Sequence, residues 1–392
     1  MPLGLRIVAL AACGLAADLA GCSPEEPRNT SKRESRLAMD TIVVVQAEGE
    51  SPEASNAAVA AAWQEMERCL AALDWWRPGT DISRLNDAAG GNAVAAPPAL
   101  FECLTNARQV YDVSRGAFDP TVGPLVDLWR QEGQMGRIPK DAQIAKALTL
   151  VGFQQVELQP KEPSATAGTD GGSLSGGTVR LPRKGMRLNL GAIAKGYIAQ
   201  RMVHAMSQSG IRGAMVQAGG EVRVFGLRHT RSDAQDDGRW RVAVQDPRYP
   251  DDQSRYYTML RVTNRAISTS GHYQRYRTIG GKRYSHIIDP RTGRPVPTGL
   301  ASVTVVAPEG YLADGLATAV AVLGVTEGLR LVERIPDVEC LLLEKATGND
   351  AGATHGAGGK EASEPKLIAH RSRGFAALEA KSIHGPASAD PQ

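Results

Sequence analysis

From Thr41 to Ala47 the chain runs β-branched and apolar, a pattern that predicts a strand. Ser51-Pro52-Glu53 then supplies a helix N-cap with proline in the first turn, and Val59, Trp63, Met66, Leu70 and Leu73 recur at helical spacing behind it. These apolar positions are core residues of an amphipathic helix, not a cofactor box. The same reasoning predicts helices over 97–114, 140–150, 192–208, 311–323 and 326–334. Strands are predicted near 213–217, 221–226, 239–245, 256–262, 265–269, 301–306 and 338–344, with one returning strand at 366–369. The class is mixed α+β. Two stretches, about 160–177 and 346–364, are rich in Gly, Ala and Ser with little to bury, and read as surface insertions in a domain spanning 37–378. Residues 379–392 read as a tail.

The N-terminus carries an address. Arg6 precedes an apolar run from Ile7 to Ala17, too short to span a bilayer, and Leu19-Ala20-Gly21 stands directly before Cys22. Leu-Ala-Gly-Cys resembles the bacterial lipobox. The resemblance implies removal of residues 1–21 as a lipoprotein signal peptide and diacylation of Cys22. It also implies an extracytoplasmic chain, anchored by that lipid to a bacterial membrane and facing the periplasm. Residues 22–36 are polar and contain proline, the composition of a tether, so folding is expected to begin near Leu37.

Composition narrows the partners. Lys plus Arg number 45 against 42 Asp plus Glu, and no basic run is long enough to track a phosphate backbone, which argues against nucleic acid. Cys69, Cys103 and Cys340 are isolated in sequence, with no zinc-ligand spacing. Cys69 and Cys103 fall within helical patterns, either as buried thiols or as a disulfide.

Four clusters interrupt the ordinary patterning. Gly116 to Pro124 is a turn with a helix start, either one in which Asp119 caps and the backbone amides face a ligand or a plain helix-initiating Asp-Pro-Thr turn. Leu188 to Tyr197 passes from a strand through Gly191 into a helix with Lys195 one turn inside, a geometry suited to an anion, although the spacing matches no Walker or dinucleotide motif. Ile267 to Gly271 leads through a basic hairpin containing Arg275, Arg277, Lys282 and Arg283 to Ser285-His286-Ile287-Ile288-Asp289. There, His286 is either a general base or a core histidine bonded to Asp289. In Ala313 to Ala319, Asp314 and Thr318 lie one helical turn apart on one face, either as hard-oxygen ligands for Mg²⁺ or as a dipole-favouring Asp with a back-bonded Thr.

Taken in order, FDPTVGPL, LGAIAKGY, SHIIDPRTG and ADGLATA, with Met39-Asp40-Thr41 and the segment Thr80 to Asn86, resemble the ApbE family of FAD:protein FMN transferases. The resemblance covers nearly the whole body from Leu37. It implies a T-fold-related body with a smaller lobe and an FAD pocket between them. The implied reaction is Mg²⁺-dependent transfer of FMN from FAD to a Ser or Thr hydroxyl of a target protein, with release of AMP; membrane redox subunits are the implied acceptors. In the same resemblance, Asp314, Thr318 and the carbonyl of Ala192 hold the metal. Met39, Ala117, Phe118, Asp119, Asn189, Lys195 and Ile287 contact the flavin nucleotide, and His286 takes the proton of the incoming hydroxyl. Two positions depart from the family pattern: Asn189 stands where many relatives carry Asp, and Asp40 where many carry Gly. An FAD pyrophosphatase, with water as acceptor, would use the same residues, and a non-catalytic FAD-binding lipoprotein is the alternative from another class.

Overall fold

The computed structural model describes residues 30–161, 176–228, 237–252, 254–271, 276–346 and 366–380. The expected signal segment, Cys22, the first part of the tether, the middle of both insertions, Arg275 and most of the tail lie outside the described residues.

The body is built on an eight-stranded antiparallel sheet. In spatial order its strands are β1 (Ser31–Ala38), β2 (Thr41–Glu48), β6 (Gly213–Ala218), β7 (Glu221–Gly226), β10 (Ala266–Gly271), β15 (Leu300–Ala307), β16 (Glu339–Lys345) and β17 (Leu367–Arg371). One face carries the helices α1 (Pro52–Leu73), α3 (Pro98–Val113), α6 (Ala194–Ser207) and α7 (Gly310–Val332), whose apolar faces meet Val43, Val45, Val303 and Val305 of the sheet in the main core. The other face is covered by the hairpin of β8 (Trp240–Gln245) and β9 (Tyr256–Val262), which buries Val242, Val244 and Leu260 with Ile267, Val306 and Phe375.

A smaller lobe assembles around a third apolar cluster containing Leu125, Trp129, Ile144, Ile279 and Ile288. It consists of α4 (Gly123–Gln134), α5 (Asp141–Leu148), the hairpin of β11 (Tyr276–Ile279) and β12 (Lys282–Ser285), and the short pair β13 (Ile288–Asp289) and β14 (Arg294–Pro295). The remaining elements are α2 (Asp81–Asp87) and a three-stranded sheet of β3 (Val94–Ala96), β5 (Gly177–Arg180) and β4 (Glu157–Pro160).

Most predicted elements are present. Ser51 caps α1, its hydroxyl accepting the Ala54 N–H at 3.2 Å, and Val59, Trp63, Met66 and Leu73 are buried, with Leu70 partly so. The two helices expected at 311–323 and 326–334 form one element broken at Gly324, whose φ of 77° and ψ of −174° are non-helical. Both insertions replace hairpin loops. Pro160 pairs with Gly177 at the foot of the first, and Ala346 donates to the Lys366 carbonyl at 2.8 Å at the foot of the second. Loop closure entropy grows only slowly with length, so neither insertion taxes the sheet heavily.

Two expectations need correction. The tether does not extend to residue 36, because β1 begins at Ser31 and pairs with β2 along its length, from Ser31↔Glu48 to Ala38↔Thr41. It escapes notice because an edge strand needs only one half-buried face, and its polar side chains find partners: the Trp63 indole donates to Glu34 at 3.0 Å, and the Arg36 guanidinium stacks 4.3 Å from the Trp63 ring centroid. The cysteine alternatives also resolve, since Cys69 and Cys103 are free buried thiols. Burial pushes the Cys69 thiol up to about 12 and the Cys103 thiol well above its ordinary value, leaving both unreactive as thiolates.

Candidate active site

Body and lobe enclose a cleft of about 2110 Å³. The clusters singled out in the sequence converge on it: Met39 from the β1–β2 turn, Ala117, Phe118 and Asp119, then Asn189, Ala192 and Lys195, then His286 and Ile287, and finally Asp314 and Thr318.

The floor is set where α6 meets α7. The Asn189 N–H donates to the Pro120 carbonyl at 2.7 Å and its Oδ1 accepts the Gly191 N–H at 2.9 Å, forming an Asx turn that delivers the chain into α6. Ile193, at the N-cap position, offers no side-chain acceptor. The cap comes instead from α7: Asp314 Oδ2 accepts the Gly196 N–H at 2.9 Å. This approach requires glycine at both contacts. A Cβ on Gly196 would stand 2.2 Å from the Gly310 carbonyl oxygen, and one on Gly310 would stand 2.1 Å from that of Gly196.

Charge is concentrated here. Lys195 Nζ lies 2.5 Å from Glu221 Oε2, and both Glu221 and Asp314 are buried. Burial, reinforced by the negative charge of Glu221, pushes the Asp314 carboxyl up to about 7, against the opposing pull of Lys195 and the Gly196 N–H. A carboxyl so raised is held in deficit of positive charge. Asp314 Oδ1 accepts no hydrogen bond from the described residues, and with the Thr318 hydroxyl one turn on and the Ala192 carbonyl it offers hard oxygen donors beside the cleft. Among the described residues no group of three or more His, Cys, Asp or Glu gathers to cage a metal by itself. The set fits Mg²⁺, which takes few protein ligands and completes its shell with water and phosphate oxygens.

Asp119 takes the capping role. Its Oδ1 accepts the Thr121 N–H at 2.7 Å and its hydroxyl at 2.5 Å, while Oδ2 accepts the Phe153 N–H at 3.1 Å. Burial raises its carboxyl despite these bonds. Both oxygens are engaged by the protein, and they fix the backbone of this turn where it lines the cleft.

For His286 the core reading fails. Asp289 is taken by Arg291, through the backbone N–H at 2.9 Å, Nε at 2.9 Å and Nη2 at 2.8 Å, whereas His286 is exposed on the cleft surface. The Ser285 hydroxyl accepts the Ile287 N–H at 3.1 Å and shapes the chain at this point. Elsewhere on the cleft, Met39 and Asp40 form a two-residue hairpin turn with φ of 54° and 57°, both left-handed, and the half-buried Met39 lines the cleft. Glycine would adopt that backbone freely, and Asp is among the residues that tolerate it.

Sequence reasoning missed Glu221 and the tryptophans Trp75 and Trp76. A glycine pair directly before an acid, Gly219-Gly220-Glu221, was the available signal for the first. Trp75 and Trp76 follow the Asp74 C-cap of α1, line the cleft with ring centroids 5.8 Å apart, and receive the Arg130 guanidinium 4.9 Å from the Trp76 centroid.

The chain is similar to known proteins over most of its length. Residues 39–342 match the model of the ApbE family. The chain is 34% identical over 282 residues to the FAD:protein FMN transferase of Treponema pallidum, covering 71% of this chain and 74% of that protein. It is 31% identical over 264 residues to that of Escherichia coli K12, covering 67% and 70% respectively. The apo flavinyl transferase ApbE of Pseudomonas stutzeri superposes with a TM-score of 0.68 at 23% identity, covering 90% of this chain and 98% of that one. The ApbE protein of Thermotoga maritima superposes with a TM-score of 0.68 at 26% identity, covering 90% and 100%.

Proposed function

The chain belongs to the ApbE family, and on that premise we propose that it is an FAD:protein FMN transferase, moving FMN from FAD to a Ser or Thr hydroxyl of an acceptor protein and releasing AMP. The observation that carries this reading is the convergence, from separate segments, on one cleft of the residues to which the resemblance assigns the flavin, the metal and the proton.

The chemistry assigns a task to each group. In protein flavinylation the acceptor oxygen attacks the FMN phosphorus, the bond to the AMP phosphate breaks, and the hydroxyl proton leaves. We assign the acceptance of that proton, on a ring nitrogen, to the imidazole of His286, and its exposure on the cleft surface supports the assignment. Lys195, held by Glu221 at the N-terminus of α6, offers positive charge to the diphosphate, and the helix terminus adds to it. Asp314, Thr318 and the Ala192 carbonyl are the residues that would hold Mg²⁺, which when bound neutralises charge on the transferring and leaving phosphoryl groups. Trp75 and Trp76 offer aromatic surface to a planar ring.

The export run and the lipobox-like Leu19 to Cys22 support an extracytoplasmic, lipid-anchored enzyme, and the family resemblance supports membrane redox subunits as its acceptors. To test the activity, the chain lacking residues 1–22 is incubated with FAD, Mg²⁺ and a Ser/Thr-bearing acceptor domain, and the acceptor's intact mass is read. A gain equal to FMN that a chelator abolishes is expected. Metal-dependent AMP without a mass gain would make water the acceptor, and intact bound FAD would make the chain a flavin carrier.

A further inference from the structure

We propose that the Lys282–Arg283 end of the β11–β12 hairpin is a docking site for an acidic segment of the acceptor protein, gripping it on the strand that leads into His286. This rests on the transferase reading, because only a macromolecular second substrate needs a grip outside the cleft.

The hairpin is placed for that task. Tyr276, Arg277 and Tyr284 line the cleft, and β12 runs through Ser285 straight into His286. Lys282 and Arg283 are exposed and do not line the cleft, so an FAD diphosphate inside it does not account for them.

Among the described residues these charges also meet no neutralising carboxylate. Arg283 stacks 4.4 Å from the Tyr276 ring centroid, Lys282 lies 5.7 Å from that of Tyr284, and Arg277 Nη1 donates to the Arg130 carbonyl at 3.4 Å; among the described residues none of the three cations meets a carboxylate. Neighbouring cations of the same region behave differently. Arg130 pairs with Asp127 at 2.7 Å, Arg291 with Asp289 at 2.8 Å and Arg294 with Asp141 at 2.6 Å. The aromatic rings hold the hairpin cations in place without cancelling their charge. Buried Ile279 and the Trp129–Tyr284 ring contact at 5.8 Å pin the hairpin to the lobe, so little ordering entropy remains to be lost on binding. A fixed, exposed basic edge that meets no carboxylate among the described residues, on the strand leading into His286 and about 10–13 Å along it, is complementary to acidic side chains a few residues from a reacting hydroxyl, and rim charges of this kind act on encounter rate and salt dependence.

The test uses the full chain with FAD present and two labelled peptides centred on the same threonine, one flanked by glutamates and the other by lysines. Binding is read by fluorescence anisotropy across a salt series, and FMN transfer is read separately by mass. The glutamate peptide should bind about tenfold tighter at low salt. The preference should shrink as salt rises and collapse in Lys282→Glu/Arg283→Glu, whose exposed positions leave FAD binding and the melting temperature unchanged. Equal binding of the two peptides, or a preference retained by the double variant, would overturn the docking site. Absence of FMN transfer together with intact discrimination would instead count against the transferase reading, so the two failures are told apart.

Discussion

Asp314 of α7 caps α6 by accepting the N–H of Gly196 at 2.9 Å, so one carboxylate both starts a helix and faces the cleft. The two roles separate by substitution. Asp314→Asn keeps an acceptor for Gly196 but loses the charge a divalent ion needs; it should fold normally and lose metal-dependent turnover by about a hundredfold or more. Asp314→Ala should lose both, with about 1 kcal/mol of stability going with the cap. Urea unfolding set beside AMP release checks both, and undiminished turnover in a folded Asp314→Asn would remove this residue from the metal site.

The raised Asp314 carboxyl makes a pH prediction for the metal-free protein. Folded, the group keeps its proton up to about pH 7; unfolded, it releases it near about pH 4. Between those values the native state holds the extra proton, so stability from this group is full below about pH 4 and is lost as pH rises to about 7, with a limiting slope near 1.4 kcal/mol per pH unit. Between pH 5 and pH 8 the parent should therefore lose more unfolding free energy than Asp314→Asn, read from unfolding curves at the two pH values. The same proton competes with a divalent ion, so Mg²⁺ affinity should fall below pH 7. Parallel pH profiles for the two proteins would contradict the assignment.

Gly196→Ala places a methyl 2.2 Å from the Gly310 carbonyl oxygen, a backbone atom that cannot rotate away. A loss of about 1–3 kcal/mol is expected from overpacking at the helix crossing. Because the crossing positions both Lys195 and Asp314, FAD affinity should fall in the same variant. A parent-like melting temperature would show that the helices part freely.

Asn189→Asp preserves the Oδ1 acceptor used by the Gly191 N–H at 2.9 Å, so the turn should persist and stability should change little. The new charge at the cleft wall should nevertheless alter FAD affinity by about threefold or more, which is on the order of 0.7 kcal/mol. Identical affinities by fluorescence titration would show that residue 189 acts only through the turn.

Asp40→Gly relieves a left-handed residue at φ 57°. A gain of about 0.5 kcal/mol is expected, because glycine pays no Cβ penalty there although it costs more entropy. A lower melting temperature would mean that the Asp40 side chain makes a contact worth more than the strain.

Local patterning foretold much of this molecule because its causes are local. Ser51-Pro52 starts α1 through a side chain three residues from the amide it caps, Gly324 breaks α7 through its own dihedral angles, and the insertions sit where composition offers nothing to bury. Elements held by partners distant in sequence were harder to see. Polar β1 is a strand because β2 pairs with it and Trp63 accepts its outer face, and α4 with the β11–β12 hairpin forms a lobe only once Trp129, Ile279 and Ile288 meet.

The same division runs through the site. By itself the sequence determined which residue types could carry phosphoryl chemistry and in which segments, since glycine turns, helix starts and i,i+4 oxygen pairs are set by backbone geometry over a few residues. Only the tertiary structure decided that Asp119 spends both oxygens on the protein while His286 stays exposed, and that Glu221 stands against Lys195. It alone raised the Asp314 carboxyl by burying it beside Glu221. Hydrogen-bond commitment, desolvation and Coulomb interaction depend on distance in space, and the pattern along the chain does not record that distance.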